Sequence, residues 1–209
     1  MQEEIDKIEH DDVRLVTVLD DSYPPTLRLI YNLPPFLFIR GAITDADLRS
    51  VAVVGTRKAS VDGINRAGRM ARLLVGEDVT VVSGLACGID TAAHTAALEA
   101  RGRIIAVIGT GINCYYPAEN RALADQITKR GAVVSQFWPD SPPTAYTFPR
   151  RNVTMSGIAQ GTVVIEASNT SGAKMQARIA LEHDKTVNRP GFGTPFRSWE
   201  GWRDARQEL

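Results

Sequence analysis

Cysteine is nearly missing from this sequence. There are two in 209 residues, Cys87 and Cys114, far apart and each without a neighbouring cysteine. That argues against a disulfide-stapled fold and a thiolate metal site, and leaves plain buried or loop thiols. Charge of one sign is missing too: 24 Lys+Arg balance 24 Asp+Glu, for a formal net charge of zero. A uniformly basic coat for nucleic acid is thereby excluded, so any anion site has to be a local patch. No apolar run approaches the roughly 20 residues of a membrane helix. The N-terminus, Met1-Gln2-Glu3-Glu4-Ile5-Asp6, is acidic and lacks the apolar region of a signal peptide. A cytoplasmic protein without membrane contact is expected. There is no Gly-x-Gly-x-x-Gly fingerprint, no repeat beyond a βα unit and no low-complexity tract.

What the sequence does have is a set of four similar strand ends. They are Val51-Ala52-Val53-Val54-Gly55-Thr56-Arg57, Val79-Thr80-Val81-Val82-Ser83-Gly84, Ile105-Ala106-Val107-Ile108-Gly109-Thr110-Gly111 and Thr162-Val163-Val164-Ile165-Glu166. Each is a β-branched run that stops at a small, hydroxylated or acidic residue and precedes a helical pattern. That is how a parallel sheet buried on both faces reads in sequence. The fold class is therefore α/β, a mostly parallel sheet with helices on both faces. In such sheets ligands bind beyond the carboxyl ends of the strands. Free amides, hydroxyls and an arginine there suit phosphate, so a nucleotide or a nucleic acid is the expected ligand.

With 44% hydrophobic and 23% charged residues the chain supports one sizeable core. Residues 1–50 read as a lead-in packing on that core. Within it, Arg14–Asp20 is strand-like, Thr26–Tyr31 a short helix after Pro24-Pro25, and Leu33–Gly41 an edge strand. Residues 51–191 form the main domain and 192–209 a tail carrying Trp199 and Trp202 on a short polar helix. Helices are predicted from Ser60 as N-cap to about Val75 with Ile64, Ala67, Ala71 and Leu74 on one face, then over Ile89–Ala100, Ala118–Arg130, Arg151–Ala159 and Gly172–His183. Further strands are expected at Ala132–Ser135 and Lys185–Asn188, and residues 137–149 as a loop crossing the sheet end.

Five segments carry candidate chemistry. Gly55, Arg57 and Ser60 lie between a strand and a helix, where helix amides and a guanidinium fork both suit phosphate; the plainer reading of Arg57 is a surface arginine after an ordinary turn. Ser83, Gly84 and Gly88 form a second amide array, with Asp90 as a natural N-cap. His94, a turn further on in an alanine-rich helix, reads as a packed histidine with no acid placed to orient it. Gly109, Gly111 and Asn120 flank Tyr115-Tyr116-Pro117, whose rings either stack bases or simply close a loop. Phe148, Arg150, Arg151 and Asn152 bring together two arginines, a ring and a carboxamide, the set that phosphates and a base face require. Ser171, Gly172 and Lys174 open the last helix, where a lysine opposes the helix dipole unless an anion is bound. Glu166 reads as a general acid/base or as a partner for an arginine. No catalytic residue, metal or cofactor is expected.

Taken in order, these motifs resemble the DprA/Smf family of DNA processing proteins over roughly residues 20–191. The matching pieces are Gly55-Thr56-Arg57, Ser83-Gly84-Leu85-Ala86-Cys87-Gly88-Ile89-Asp90, Gly109-Thr110-Gly111 with Tyr116-Pro117-Ala118-Glu119-Asn120, Phe148-Pro149-Arg150-Arg151-Asn152, and Ser171-Gly172. Tyr23-Pro24-Pro25 and Pro34–Gly41 match the family's lead-in. The resemblance implies an extended Rossmann-like fold that binds single-stranded DNA largely without sequence preference and without catalysis. It also implies loading of the RecA recombinase in natural transformation, and a homodimer formed through the late helix and strand. Two features depart from the pattern. Family members usually continue after Ser-Gly with small or hydroxylated residues and then Thr-Ala-Arg, whereas here Ala173-Lys174-Met175-Gln176-Ala177-Arg178 follows. Many members also carry an N-terminal helical domain and a C-terminal winged-helix-like domain, so this sequence reads as a minimal form. The competing classes are a phosphoribohydrolase-type enzyme using Glu166, although the Pro-Gly-Gly-x-Gly-Thr segment is absent, and a nucleotide-sensing module.

Overall fold

The computed structural model describes residues 12–167 and 172–188. The acidic start of the chain, Ser171 and the tail with Trp199 and Trp202 lie outside them. The β-branched runs become strands buried at every position: β3 (Ser50–Val54), β4 (Thr80–Ser83), β5 (Ile104–Val107), β6 (Gly131–Ser135) and β7 (Gly161–Val164). With β1 (Val13–Thr17), β2 (Phe36–Gly41) and β8 (Thr186–Asn188) they make one eight-stranded sheet of order β1-β2-β6-β5-β4-β3-β7-β8. Every pairing from β6 through to β8 is parallel, and β1 and β2 add an antiparallel flank.

The lead-in therefore extends the sheet itself. β2, expected at an edge, is internal: Phe38 pairs with Leu15 on one side and Ser135 on the other. Pro34 and Pro35 precede the strand, so no ladder donor is missing from Phe36 onward, and the edge falls to β1. The lead-in is also pinned by charge. Asp47, 5% exposed, accepts from Arg103 Nε at 2.8 Å and Nη2 at 2.7 Å, and from the Thr80 hydroxyl at 2.9 Å.

Helices cover both faces. On one lie α1 (Val61–Gly76), α2 (Ile89–Glu99) and α3 (Arg121–Ile127), burying Ala67, Leu74, Ile89, Ala93 and Ile127. On the other lie α4 (Thr147–Ile158), α5 (Gly172–Glu182) and a single 3-10 turn at Leu27–Leu29, burying Leu27, Met155, Ile158 and Ala173. Each large apolar side chain so buried contributes about 1.5–3 kcal/mol. Three expectations are revised. Ile64 is 44% exposed, so the buried face of α1 is Ala67, Met70, Ala71 and Leu74. The helix predicted over Ala118–Arg130 is a 3-10 turn, Ala118–Asn120, followed by the shorter α3. The loop before Arg151 ends early, because α4 starts at Thr147, where the Thr144 and Thr147 hydroxyls each accept the other's amide at 3.2 Å. Pro149 then falls in the first turn, where a helix has no need of its amide.

Candidate functional site

From β3 to β6 the chain steps steadily across the sheet; it then returns to place β7 on the other side of β3. This is the switch point at which open α/β sheets hold ligands. A cleft of about 590 Å³ opens there, within the usual range for ligand pockets of about 300–1,000 Å³. Its wall includes Gly55, Thr56, Arg57 and Lys58 after β3, Glu166 and Ala167 after β7, and Phe148, Arg151, Asn152 and Met155 from α4. Asp90, Gly172 and Gln176 complete it. Six of the candidate binding residues read from the sequence thus meet in one place, Gly55, Arg57, Phe148, Arg151, Asn152 and Gly172, together with Asp90 and Glu166.

Arg57 and Lys58 are exposed at the rim. The Arg57 guanidinium lies 4.8 Å from the centroid of the Phe148 ring, whose other neighbour is Tyr116 at 5.9 Å between centroids. Arg150 points away and sits 5.4 Å from the Tyr146 ring. Lys174 is exposed on α5 and is not part of the cleft wall.

The chain's own carboxylates take some of the donors in both amide arrays. At the start of α1, Ser60 accepts from Gly63 N at 3.0 Å, as an N-cap does. Its own amide and hydroxyl donate to Glu166 Oε2, at 3.2 and 2.9 Å. Glu166 therefore acts as an anion for the helix end, and Thr56 N is taken by the Glu166 carbonyl at 2.7 Å. At the second array, Gly84 N and Ala86 N donate to Asp90 Oδ2 at 3.2 and 3.4 Å. Asp90 thus ties the turn before its helix and is not its N-cap, which is Gly88. Between those amides Leu85 sits in the left-handed region at φ 57°, the alternation that makes an anion-binding concavity.

Other predicted residues turn out to hold these turns in place. The Ser83 hydroxyl donates to Val53 O at 2.7 Å. Gly88, at φ 76°, lets the second turn approach the first, since a Cβ there would stand 2.5 Å from the Thr56 carbonyl. Gly109 makes room for Phe148, and Gly111 gives its amide to Ser141 O at 2.8 Å. Asn120 donates to Leu85 O at 2.8 Å and to the Thr91 hydroxyl at 2.9 Å.

Arg151, Asp90 and His94, each singled out separately in the sequence, come together in one buried cluster. Arg151, 6% exposed, donates to Val107 O at 3.2 Å, and its Nε has no partner. Burial lowers its pKa, opposed by Asp90, with Arg57 adding repulsion. Burial likewise raises the Asp90 carboxyl, opposed by the Arg151 charge. His94 is wholly buried, and burial, reinforced by Arg151 and opposed by the Ser83 backbone, pushes its pKa down to about 3. The packed histidine expected from the sequence is what the structure contains.

Among the described residues no group of side chains could hold a metal ion, and no helix is long and apolar enough to cross a membrane. A family model described as DNA recombination-mediator protein A matches residues 14–197. The chain belongs to that family. It is 38% identical over 193 residues to DNA processing protein DprA of Streptococcus pneumoniae, covering 92% of this chain and 67% of that one. It is 41% identical over 199 residues to protein Smf of Escherichia coli, covering 93% and 53%. The chain thus spans about half to two thirds of the length of these relatives. The X-ray structure of the pneumococcal protein superposes with a TM-score of 0.83 at 36% identity, covering 99% of this chain and 71% of that one. The DprA of Helicobacter pylori, whose structure describes a single-stranded DNA binding mode of that protein, has the same fold, with a TM-score of 0.75 at 22% identity over 93% and 87%. The resemblance drawn from the motifs is the correct one, as is the extended Rossmann-like fold.

Proposed function

We propose that the chain binds single-stranded DNA, largely without sequence preference, in the cleft between β3 and β7. The carrying observation is the convergence of Arg57, Lys58, Phe148, Arg151 and Asn152 at the switch point of a recombination-mediator family member. Arg57 and Lys58 supply exposed cations for phosphates, and Phe148 supplies a ring for a base. The amide arrays take no direct part, so phosphate binding falls to side chains. Binding then depends on counterion release and weakens with salt. This reading assigns no catalysed reaction, and Glu166, the acid considered for one, is bonded to Ser60.

By the same family logic the protein loads the RecA recombinase onto the bound strand in the cytoplasm, as a homodimer built on α5 and β8. Exposed Met175 and Leu181 on α5, and the edge position of β8, support that surface. The deciding experiment is fluorescence anisotropy of a labelled oligo-thymidylate at two salt concentrations, with duplex DNA and mononucleotides as competitors. Salt-sensitive binding that only single strands displace is the expected result. Absence of binding, or displacement by a mononucleotide, would overturn the reading in favour of an enzyme or a sensor.

A further inference from the structure

Gln176 stands where the resemblance leads one to expect the threonine of a Thr-Ala-Arg run. It sits on α5, 1% exposed, in the cleft wall. Neither Oε1 nor Nε2 has a hydrogen-bond partner among the described residues. An unpaired buried donor or acceptor is costly to a fold, and here one side chain leaves both unpaired. An apolar residue of similar size would carry no such cost.

We infer that Gln176 is a base-edge contact: the cleft takes one unstacked nucleobase of the strand edge-on, and the Gln176 carboxamide pairs with it through its donor and acceptor together. Phosphate does not fit this position, since an acceptor-only group satisfies Nε2 and leaves Oε1 unpaired. A base edge satisfies both. Every base carries a donor beside an acceptor on its Watson–Crick edge, in one order or the other. A carboxamide presents either order after a half-turn about its last torsion. The contact therefore requires an intact edge without selecting the base, which agrees with binding that tolerates sequence. Arg57 and Lys58 at the rim then hold the flanking phosphates while the base reaches inward past Phe148.

The inference rests on the proposed strand binding, and the test separates the two. Anisotropy is measured with oligo-thymidylate and with the same strand built from N3-methylthymidine, which keeps charge and ring but loses the edge donor. The parent protein is expected to bind the unmodified strand about tenfold more tightly. Gln176→Leu, which replaces the amide by an apolar group and is expected to melt no lower than the parent, binds both strands alike. If the parent binds both strands equally well, or Gln176→Leu keeps the tenfold difference, the base contact is overturned while strand binding stands. If the parent binds neither strand, the proposed function has failed and the contact with it. Displacement of the strand by thymidine 5′-monophosphate at equal concentration overturns the assignment to a strand.

Discussion

The Arg57 guanidinium lies over the Phe148 ring, 4.8 Å from its centroid, and so joins the turn after β3 to the first turn of α4 across the mouth of the cleft. The stack preorganises a cation that is otherwise on an exposed loop, leaving less side-chain freedom to be lost when a phosphate binds. Gly109 is what lets the ring lie there, since a Cβ at that position would stand 2.7 Å from Phe148 Cδ1.

Arg57→Ala is expected to weaken oligonucleotide binding by about 1–3 kcal/mol, the range for a charge-assisted contact to phosphate. Arg57→Lys keeps the charge but loses the planar fork and the stack, so it recovers only part of the loss. Arg57 is exposed, so neither change alters the melting temperature appreciably. Anisotropy titrations at several salt concentrations check this, with the salt slope of Arg57→Ala falling by about one. Parent-like affinity in Arg57→Ala would remove this residue from the site.

Glu166→Gln is expected to tighten strand binding a few-fold. The carboxylate stands in the wall of the proposed strand-binding cleft, and removing one like charge in a partly solvated place is worth about 0.5–1 kcal/mol. The amide oxygen still accepts from Ser60, so the α1 cap survives. The same titration measures it, and loss of binding or of any catalysed turnover on this change would contradict the capping role assigned here.

His94→Leu is expected to flatten the acid side of the stability profile. The buried ring titrates near 3 in the fold against 6.5 ordinarily, so between those values the unfolded chain holds more protons. Stability contributed by the neutral ring is full above pH 6.5 and is lost as pH falls toward 3, at up to about 1.4 kcal/mol per pH unit. Asp90 acts in the opposite sense above its ordinary 3.8, because its folded form retains the proton longer. Urea midpoints between neutral pH and pH 4 test this. The leucine variant should match or exceed the parent at neutral pH, and an unchanged slope would clear His94 of the effect.

Gly84→Ala should lower both stability and binding. Its Cβ would stand 1.3 Å from Arg151 Nη1, and that guanidinium is buried and bonded to Val107 O. Displacing it is an overpacking defect of about 1–3 kcal/mol, followed by disorder in the cleft floor. Arg151→Ala belongs with it: it leaves the buried Asp90 charge uncompensated, so its weakened binding arrives with a lowered melting temperature. Thermal melts alongside titration distinguish these two variants from Arg57→Ala, which loses affinity alone. A Gly84→Ala protein with parent-like melting and affinity would show that Arg151 is free to move.

The βα alternation and the identity of the family were legible because period and motif order are local properties. Each β-branched run became a buried strand, and Ser60 capped α1 as read. The position of β2 was not legible, since Pro34-Pro35 signals an edge until one sees that both prolines precede the paired residues. The start of α4 was hidden by the reciprocal Thr144–Thr147 caps, which the proline-rich surroundings masked. Arg57, Phe148, Arg151 and Asn152, singled out by residue type alone, do line one cleft. The bonds of Glu166 and Asp90 were not legible, because Glu166 meets Ser60 from a distant strand end and Asp90 folds back on the amides of its own turn.

By itself the sequence determined that this is a parallel α/β protein with cations, rings and carboxamides at its strand ends, because those are matters of composition and spacing. Only the tertiary structure decided which of them share one cleft. Bringing β7 beside β3 set Glu166 on the Ser60 amide and hydroxyl, and the turn before α2 set Asp90 on the Gly84 and Ala86 amides, satisfying donors that the sequence shows as free. It also buried Arg151 over His94 and left Gln176 unpaired in the cleft wall, since burial and pairing depend on what the fold places opposite a side chain.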